Sequence, residues 1–447
     1  LQPPRISAPL APEFRPAALG HRAFAEAVKQ AGGGERLVLA VERSNREIAH
    51  FETSVLPAGH PREADNLFYV ERIVKMLLWA KGGFRVFVAG PRAVADHLAA
   101  QYAPGGARAF DAEFMAKVYE QPKFEVRHVE ASELPRENES PVPVGGYLDG
   151  CRIGFDAGGS DRKVAAVIVG KEVFSTEVVW DPKVNSDAQY HIDGIEHSLK
   201  LAAEHLPRVD AVGISSAGIY VGNRTMVASL FRKIPEDQFN ARIKNVYLDV
   251  PKKLFGDIPV QVANDGDVTA LAGAMNLGDN AVLGIAMGTS EAVGYVNRQG
   301  LITGWLNELA FAPVDYSPEG GVDVEWSGDR GVGCQYFSQD AVIRLAPRLG
   351  IEFDANATPG EKLKKVQELF KSGDARIRSR NVLRSAARRG KSPANEAAIS
   401  TNRASLSAAS SGSFKFHNWH HPARATGTDP ISVSTGTPIQ NASRLVV

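Results

Sequence analysis

The sequence predicts an α/β protein of more than one domain, and three observations support this prediction. Short hydrophobic runs typical of buried strands alternate with longer segments of helical periodicity. Several of the predicted strands end directly in turns that contain glycine and serine. The length of 447 residues exceeds that of one ordinary domain and predicts two or three.

The composition is that of a soluble globular protein, with 44% hydrophobic and 23% charged residues. Lys plus Arg and Asp plus Glu both number 51, so the net charge indicates neither a nucleic-acid nor a membrane partner. The two cysteines, Cys151 and Cys334, predict a reducing compartment. The first residues contain no apolar signal core, and no apolar run is long enough for a membrane helix, so we expect a cytoplasmic protein.

The N-terminal part is predicted to be a small α/β domain over residues 23–146, after a loose Pro- and Ala-rich lead-in over residues 1–22. Its pattern predicts two strands, a helix, a strand and a helix, over 36–42, 48–55, 65–81, 84–90 and 93–103. This order is not that of a winged helix. The domain also lacks a basic recognition helix, so we expect no specific nucleic-acid partner.

A second α/β domain is predicted over residues 147–376, and a tail follows over residues 377–447. The domain has predicted helices over 188–206 and 268–274 and predicted strands over 151–157, 163–169, 173–180, 209–216, 260–263 and 281–286. From Arg376 onward the chain has eleven Lys or Arg against two acids, a net charge of +9, with few apolar residues. Such a segment buries too little apolar surface to offset its ordering entropy, so we expect a disordered tail.

The first chemically informative motif is Ile153-Gly-Phe-Asp-Ala-Gly-Gly-Ser, at the end of a predicted strand. Its two glycines, Gly158 and Gly159, allow a tight turn whose amides can approach phosphate oxygens closely. Ser160 adds a hydroxyl group, and the Asp156 carboxylate could hold a hydrated Mg²⁺. The alternative is an ordinary glycine-rich hairpin turn.

The second motif is Val262-Ala-Asn-Asp-Gly-Asp, at a strand end just before a helix of small residues. The helix dipole favours an ionised Asp265, which suits a general base that takes a proton from an attacking hydroxyl group. The alternative is that Asn264 and Asp265 simply cap the helix.

Two further loops close predicted strands. Gly284-Ile-Ala-Met-Gly-Thr-Ser-Glu runs from a strand into a turn at Gly288, which is either a second phosphate-binding turn or a plain hairpin. A Ser-Ser-Ala-Gly loop occupies residues 215–218. We expect Asp156, Asp265 and Gly288 to converge on one cleft, because each lies at a strand end.

In order and spacing these motifs resemble the ROK family of sugar kinases and repressors, which belongs to the actin-like ATPase superfamily with its ribonuclease H-like fold. The resemblance covers residues 150–375, about half of the chain. It implies an actin-like ATPase domain that binds Mg-ATP and a sugar. It also leaves a homodimer open as the assembly.

Residue by residue, the resemblance implies two groups of site residues. Asn264 and Asp265 match the pair that holds and deprotonates the sugar hydroxyl group, with Asp265 as the base, and Glu308 matches the glutamate that contacts the sugar. The 215–218 loop stands where the family has its sugar loop, which makes Ser216 and Gly218 candidate substrate-binding residues. The implied nucleotide-binding residues are Asp156 (also the Mg²⁺ partner), Gly158, Gly159, Ser160, Gly288 and Thr289, with Ser160 in place of the family's threonine.

The chain departs from the family pattern in three places. Glu291 follows the second phosphate loop and would repel phosphates unless a metal or Lys intervenes. Phe311 stands where the family has a zinc-binding histidine, and Cys334 alone remains of its cysteine-rich stretch, so we expect no zinc. The family's C-terminal segment that closes over adenosine has no counterpart after Arg376.

The leading functional hypothesis is therefore ATP-dependent phosphorylation of a sugar or sugar-like hydroxyl group. The alternative is a catalytically weak or inactive relative that binds a sugar or nucleotide as a sensor or structural protein. The partners expected are Mg-ATP and a small sugar-like molecule, with no membrane.

Overall fold

The computed structural model describes residues 4–144, 147–288, 290–317 and 327–379, and its contacts divide them into two compact units. The first unit contains the described residues up to Glu139, the segment Ala286–Ala292, and the described residues from Trp305 onward. The second unit contains the described residues of Ser140–Ile285 and Val293–Gly304. The predicted disordered tail lies, except for its first residues, outside the described residues.

This division differs from the predicted boundaries at residues 146 and 376. The segment after Trp305 groups with the N-terminal residues, so the predicted second domain is shared between the two units. The backbone N–H groups of Leu306 and Asn307 donate hydrogen bonds to the carbonyls of Lys81 and Ala80, at 3.3 and 2.9 Å. Pairing between segments so far apart in the chain leaves no local signal in the sequence.

The N-terminal part of the first unit has a four-stranded sheet. Its strands are β1 (Glu35–Glu42), β2 (Ile48–Val55), β3 (Arg85–Ala89) and β4 (Glu125–His128), in the order β2-β1-β3-β4. β1 is antiparallel to β2 and β3, and β4 is parallel to β3. The helices here are α1 (Ala17–Gln30), α2 (Asp65–Lys81), α3 (Arg92–Gln101) and α4 (Ala109–Val118). The predicted hairpin, helix, strand and helix are confirmed.

The second unit is built on a five-stranded mixed sheet. The strands of this stretch of the chain are β5 (Cys151–Ala157), β6 (Asp161–Ile168), β7 (Lys171–Val179), β8 (Ala211–Ser216), β9 (Ile219–Val221), β10 (Arg224–Val227) and β11 (Val260–Asn264). The sheet order is β11-β8-β5-β6-β7, while β9 and β10 form a separate hairpin. The helices are α5 (Ala188–Ala203), α6 (Glu236–Gln238), α7 (Val246–Phe255) and α8 (Asp265–Leu277).

The strand directions in this sheet define its fold. β6 is antiparallel to β5 and β7, whereas β8 is parallel to β5 and to β11. In order of appearance the strands lie 3-2-1-4-5, which is the order of the ribonuclease H-like fold. The core contains buried residues of β5, β8 and β11 together with residues of α5, among them Phe155, Ile214, Val262 and Leu199. The predicted fold class is confirmed.

Helix α8 begins three residues before its predicted start. The Asn264 side chain accepts a hydrogen bond from the Gly266 N–H at 2.7 Å, which caps the helix, and the left-handed Gly278 ends it with φ of 61°. Two more strands follow it, β12 (Val282–Met287) and β13 (Glu291–Val296), which pair with each other. A Cβ on Gly266 would lie 2.4 Å from the Val293 carbonyl oxygen, and one on Gly294 would lie 2.2 Å from the Gly266 oxygen. The start of α8 therefore packs directly on the backbone of β13.

The remaining helices belong to the first unit. They are α9 (Gln339–Leu345), α10 (Pro359–Ser372) and α11 (Ala375–Ser379). Helix α10 starts with a capping box between Thr358 and Glu361. In the part of the chain that the structure describes, no helix is long and apolar enough to cross a membrane.

Candidate active site

The predicted site residues of the second unit gather at one edge of its sheet. Strands β5, β8 and β11 are parallel, so their carboxyl ends lie side by side. In register, Asp156 is the partner of Ser215, and Ser216 is the partner of Asn264. Asp265 follows directly as the first residue of α8. In open α/β sheets, the carboxyl ends of parallel strands are where ligands bind.

The Asp156 carboxylate lies near the end of β5 and is largely buried. Burial raises its pKa, and this effect is partly offset by a hydrogen bond from Ser215 and by the charge of Lys163. The Lys163 Nζ is 4.0 Å from Asp156 Oδ2 and also forms an ion pair with Asp161. Although burial alone would lower the pKa of Lys163, these acids raise it. A cation therefore stands beside the predicted phosphate-binding turn.

The turn itself joins β5 to β6 as a hairpin. The Gly158 carbonyl accepts a hydrogen bond from Trp180 Nε1 at 2.9 Å, and the Ser160 carbonyl accepts one from the Trp180 N–H at 3.1 Å. A Cβ on Gly158 would lie 2.6 Å from the Asp161 carbonyl oxygen, so the position requires glycine. The Ser160 hydroxyl group donates to Asp161 Oδ2 at 2.9 Å. The turn is thus a glycine-dependent hairpin, and its binding of phosphate stays a prediction.

Asp265 is electrostatically coupled to Asp156. Burial raises the pKa of Asp265 first, and the negative charge of Asp156 raises it further, against hydrogen bonds that lower it. One of these bonds comes from the Gly266 N–H, 3.0 Å from Asp265 Oδ1. The charge of Asp156 therefore acts on the ionisation of Asp265. A carboxylate with a raised pKa at a strand end is suited to general-base chemistry.

The 215–218 loop is tied to the start of α8 by Asn264. The Asn264 Nδ2 donates to the Gly218 carbonyl at 2.7 Å, while its Oδ1 caps the helix. The capping alternative for Asn264 is therefore correct, and the same side chain also fixes the loop. Gly218 has φ of 145°, and a Cβ there would lie 2.6 Å from the Val227 carbonyl oxygen.

Buried hydroxyl groups lie behind the two acids. The Ser216 Oγ is 3.1 Å from the Tyr247 hydroxyl oxygen and donates to the Ala157 carbonyl at 3.3 Å. Burial raises the pKa of Tyr247, and the charge of Asp156 raises it too. Burial likewise raises the pKa of Tyr220, to which the Asp265 charge contributes. Ser216, predicted to bind substrate, is fully buried and contacts these tyrosines.

The sequence analysis missed Lys163, Ser215 and Tyr247. The first had a usable signal, because the hairpin register pairs Asp156 with Lys163 across the strands. Ser215 follows from its place at the end of β8 next to β5. Tyr247 lies on α7, and nothing in the local sequence connects this helix with the strand ends.

Two predicted residues, Gly288 and Glu308, belong to the segments of the first unit. The Gly288 N–H donates to the Ser290 carbonyl at 2.9 Å, and the Gly288 carbonyl accepts from the Gln339 N–H at 2.8 Å. Thr289 lies outside the described residues. Glu308 is half-buried and immediately precedes the short helical turn Leu309–Phe311. The predicted convergence of Gly288 with Asp156 and Asp265 stays a prediction.

The environment of Glu291 removes the charge by which this residue was expected to repel phosphates. Its side chain is buried, and burial, with the charge of Glu308 as a second cause, raises its pKa to about 8. At neutral pH the carboxyl group is therefore mainly protonated. A neutral group adds no repulsion, so the physical reason for that objection is removed.

The position of the family's zinc ligand is occupied by a packed aromatic residue. Phe311 is buried, with its ring centroid 4.6 Å from that of Trp79. Cys334 is half-buried in the turn Gly333–Gln335. Among the residues that the structure describes, no three His, Cys, Asp or Glu side chains are grouped to hold a metal ion.

No protein-family model and no curated protein matches the sequence. One solved structure similar to the chain is a ROK family glucokinase from Streptomyces griseus, determined with glucose and AMPPNP. The two sequences are 24% identical and the TM-score is 0.37; the match covers 57% of this chain and 80% of the glucokinase. Another is the ROK hexokinase from Thermus thermophilus, at 18% identity and a TM-score of 0.38; the match covers 53% of this chain and 74% of the hexokinase. A third is a ROK family transcriptional regulator, a homologue of the Escherichia coli Mlc protein, at 16% identity and a TM-score of 0.36; the match covers 59% of this chain and 66% of the regulator.

Proposed function

We propose that the protein transfers the γ-phosphoryl group of ATP to a hydroxyl group of a sugar or sugar-like molecule, as a ROK-type kinase. The observation that carries the proposal is the coupled pair of acids, Asp156 and Asp265, at the carboxyl ends of parallel strands in a ribonuclease H-like sheet. A glycine turn with a neighbouring lysine adjoins one of the acids. These groups are those that in-line phosphoryl transfer requires.

In this proposal Asp265 is the general base. Its pKa is raised above that of an ordinary aspartate. The Asp265 carboxylate therefore has a higher affinity for the proton of the attacking hydroxyl group. The position at the first turn of α8 fixes its backbone, and the contact of Gly266 with β13 holds that turn in place. Asn264 joins the helix to the 215–218 loop by a hydrogen bond, which holds the two flanks of the proposed sugar site together.

The proposed phosphate site consists of the turn at Gly158–Ser160 and the Lys163 ammonium group. The glycines let phosphate oxygens approach backbone amides, and Lys163 offers a positive charge that is only partly buried. The turn at Gly288 and Thr289 is the second phosphate-binding segment that the sequence resemblance implies.

The acids also fit a magnesium ion. The negative charge of Asp156 raises the pKa of Asp265, and a divalent cation near them would relieve that repulsion. Mg²⁺ is commonly held by one or two carboxylates plus substrate phosphates, so a pair of acids is sufficient. When bound with ATP, the ion would neutralise developing charge on the phosphates. In this proposal Asp156 holds it, and Ser215 orients the Asp156 carboxylate.

The experiment that tests this function combines two measurements on the full chain. Calorimetry with Mg-ATP measures nucleotide binding, and a panel of hexoses and N-acetylhexosamines is assayed for sugar-dependent ADP release, with mass spectrometry of the phosphorylated sugar. The proposal predicts a phosphorylated product from at least one sugar. ADP release that is independent of any sugar, or no turnover with nucleotide bound, would contradict it.

A second candidate is a relative that binds sugar or nucleotide without catalysis. The specific observation that favours it is the bulk of the buried Glu291 side chain, which directly follows the Gly288–Ser290 turn where the family continues with glycine. This candidate predicts binding of sugar or Mg-ATP in calorimetry with no phosphorylated product.

A further inference from the structure

The ammonium group of Lys183 lies against Gly159, in the middle of the glycine turn between β5 and β6. A Cβ on Gly159 would be 2.6 Å from Lys183 Nζ and 2.7 Å from its Cε. Only a residue without a side chain therefore leaves room for the ammonium group in this position. At Gly158 a Cβ would instead meet the backbone, 2.6 Å from the Asp161 carbonyl oxygen. The two glycines thus differ: the turn itself requires Gly158, whereas Gly159 accommodates a lysine.

The backbone around Lys183 is held beside the turn by contacts on both sides. Trp180, three residues earlier, is buried and donates hydrogen bonds to the carbonyls of Gly158 and Ser160. The Lys183 carbonyl accepts a hydrogen bond from Arg232 Nε at 3.3 Å. The start of the lysine side chain is therefore fixed next to the turn, and the Arg232 guanidinium group adds a second positive charge to this surface.

Lys183 differs from Lys163 in how its charge is balanced. Lys163 forms an ion pair with Asp161 and lies 4.0 Å from Asp156 Oδ2. Lys183 is exposed, and its ammonium group forms no ion pair with any residue that the structure describes. An ammonium group without a carboxylate partner keeps its charge for a ligand, whereas a paired one shares it. Of the two lysines at the turn, Lys183 is therefore the one available to an anion.

We propose that Lys183 binds a phosphate oxygen of the nucleotide at the Gly158–Ser160 turn, and that the absence of a side chain at Gly159 makes room for its ammonium group. The identity of the ligand, a nucleoside triphosphate, rests on the proposed function, whereas the position of the ammonium group does not. Phosphate oxygens that approach this turn meet Lys183 at Gly159, where a charge-assisted hydrogen bond can form. The flexible lysine stem lets the charge follow the phosphate as it binds.

The first measurement is the affinity of the full chain for Mg-ATP and for inorganic tripolyphosphate, by calorimetry. Lys183→Ala removes the ammonium group, so both affinities should fall by about tenfold, as expected for one hydrogen bond to a charged group. The matched control is Lys171→Ala, which removes an exposed lysine at the end of β7 remote from the turn and should bind as the wild type does. Equal affinities for the two variants would overturn the role of Lys183.

A double-mutant cycle tests whether the lysine acts from its position at Gly159. Gly159→Ala places a Cβ against the flexible end of Lys183, so it should displace the ammonium group and weaken binding of both ligands, while Tm stays close to the wild-type value. In the Lys183→Ala background the same substitution should have a much smaller effect, because no ammonium group is left to displace. Equal fold-changes in the two backgrounds would show that the residues act independently and would overturn the role of Gly159.

Sugar phosphorylation by the same variants separates the role of Lys183 from the proposed function. Tripolyphosphate binding that is weakened in Lys183→Ala, in a protein that phosphorylates no sugar, would support the anion site and contradict the kinase. Sugar phosphorylation with the same KM for ATP in Lys183→Ala as in the wild type would leave the kinase standing and overturn the role of the lysine. A wild type that binds neither ATP nor tripolyphosphate would contradict both.

Discussion

Two groups of partly or fully buried charges, one in each unit, are organised in opposite ways. In the first unit, acids and bases on α2, α4 and the segment near residue 329 balance one another. In the second unit, Asp156 and Asp265 lie together at the sheet edge, with Lys163 beside only one of them. We call the balanced group the α2 ion cluster; its members are Glu71, Arg72, Lys75, Arg108, Asp111 and Asp329.

The α2 ion cluster is closely paired. Asp329 Oδ2 is 2.9 Å from both Arg72 Nη1 and Arg108 Nη1, and 3.4 Å from Lys75 Nζ. Lys75 Nζ is 3.0 Å from Asp111 Oδ1. Burial acts to raise the pKa of Asp329, but these three cations outweigh it and hold the pKa well below its usual range.

The difference between the two groups shows how a buried charged residue with a structural role can be distinguished from one with a catalytic role. Where cations satisfy every acid, the pKa of Asp329 falls and the charges join distant segments of the chain. At the sheet edge, burial raises the pKa of Asp156 and that of Asp265, and a neighbouring acid adds to each rise, which has a cost for folding unless a ligand or cation relieves it. The first pattern is what a structural role requires, and the second is the pattern on which our proposed active site rests.

The largest effect should come from the proposed base. Asp265→Asn keeps the shape of the side chain and removes its ability to accept the proton, so kcat for sugar phosphorylation should fall by about 10²- to 10⁴-fold. Asp237→Asn, at an exposed position on α6 in the same unit, is the control and should retain activity. Wild-type kcat in Asp265→Asn would show that this acid is not the base.

The next largest effect should come from the α2 ion cluster. Asp329→Asn removes one of the two carboxylates that Arg72 and Arg108 share, the other being that of Glu71. The buried cluster is then left with an excess positive charge, so the free energy of unfolding should fall by about 3–5 kcal/mol. The control, Asp96→Asn, breaks the exposed Arg92–Asp96 pair of 3.4 Å and should cost about 0.5 kcal/mol or less. Denaturant unfolding measures both, and equal small losses would show that burial does not distinguish the two pairs.

A smaller effect should distinguish two glycines of α8. Gly266→Ala would bring a Cβ 2.4 Å from the Val293 oxygen and should destabilise the protein by about 1–3 kcal/mol. At Gly273 the nearest atom would be 3.6 Å away, so Gly273→Ala should stabilise by up to about 1 kcal/mol through helix propensity. If both variants had the same sign in thermal unfolding, the packing of α8 on β13 would not be as tight as described.

The sequence allowed most of the second unit's sheet to be predicted, because its strands are short hydrophobic runs that end in glycine or Asx residues. It also identified Asp156 and Asp265, since strand order brings the carboxyl ends of β5 and β11 to the same edge. The capping role of Asn264 and the start of α8 at Asp265 required the structure, because a helix N-terminus and a strand end compete for the same residues.

The unit boundaries and the state of Glu291 could not be predicted. Both depend on contacts between segments far apart in the chain, such as Leu306 with Lys81 and Glu291 with Gly333. A sequence shows Glu291 as an acid after a phosphate-type turn, whereas its ionisation depends on burial and on Glu308. Local patterns carry no information on either.

The central claim is that Asp156 and Asp265 share one site, and the most direct test is the pKa of Asp265 itself. Carboxyl carbon NMR titration of the ligand-free protein should give a pKa for Asp265 above the ordinary value of 3.8. Asp156→Asn removes a neighbouring negative charge and should lower that pKa, whereas Asp237→Asn should leave it unchanged. An Asp265 pKa that stays the same in Asp156→Asn would contradict the claim that the two acids form one site.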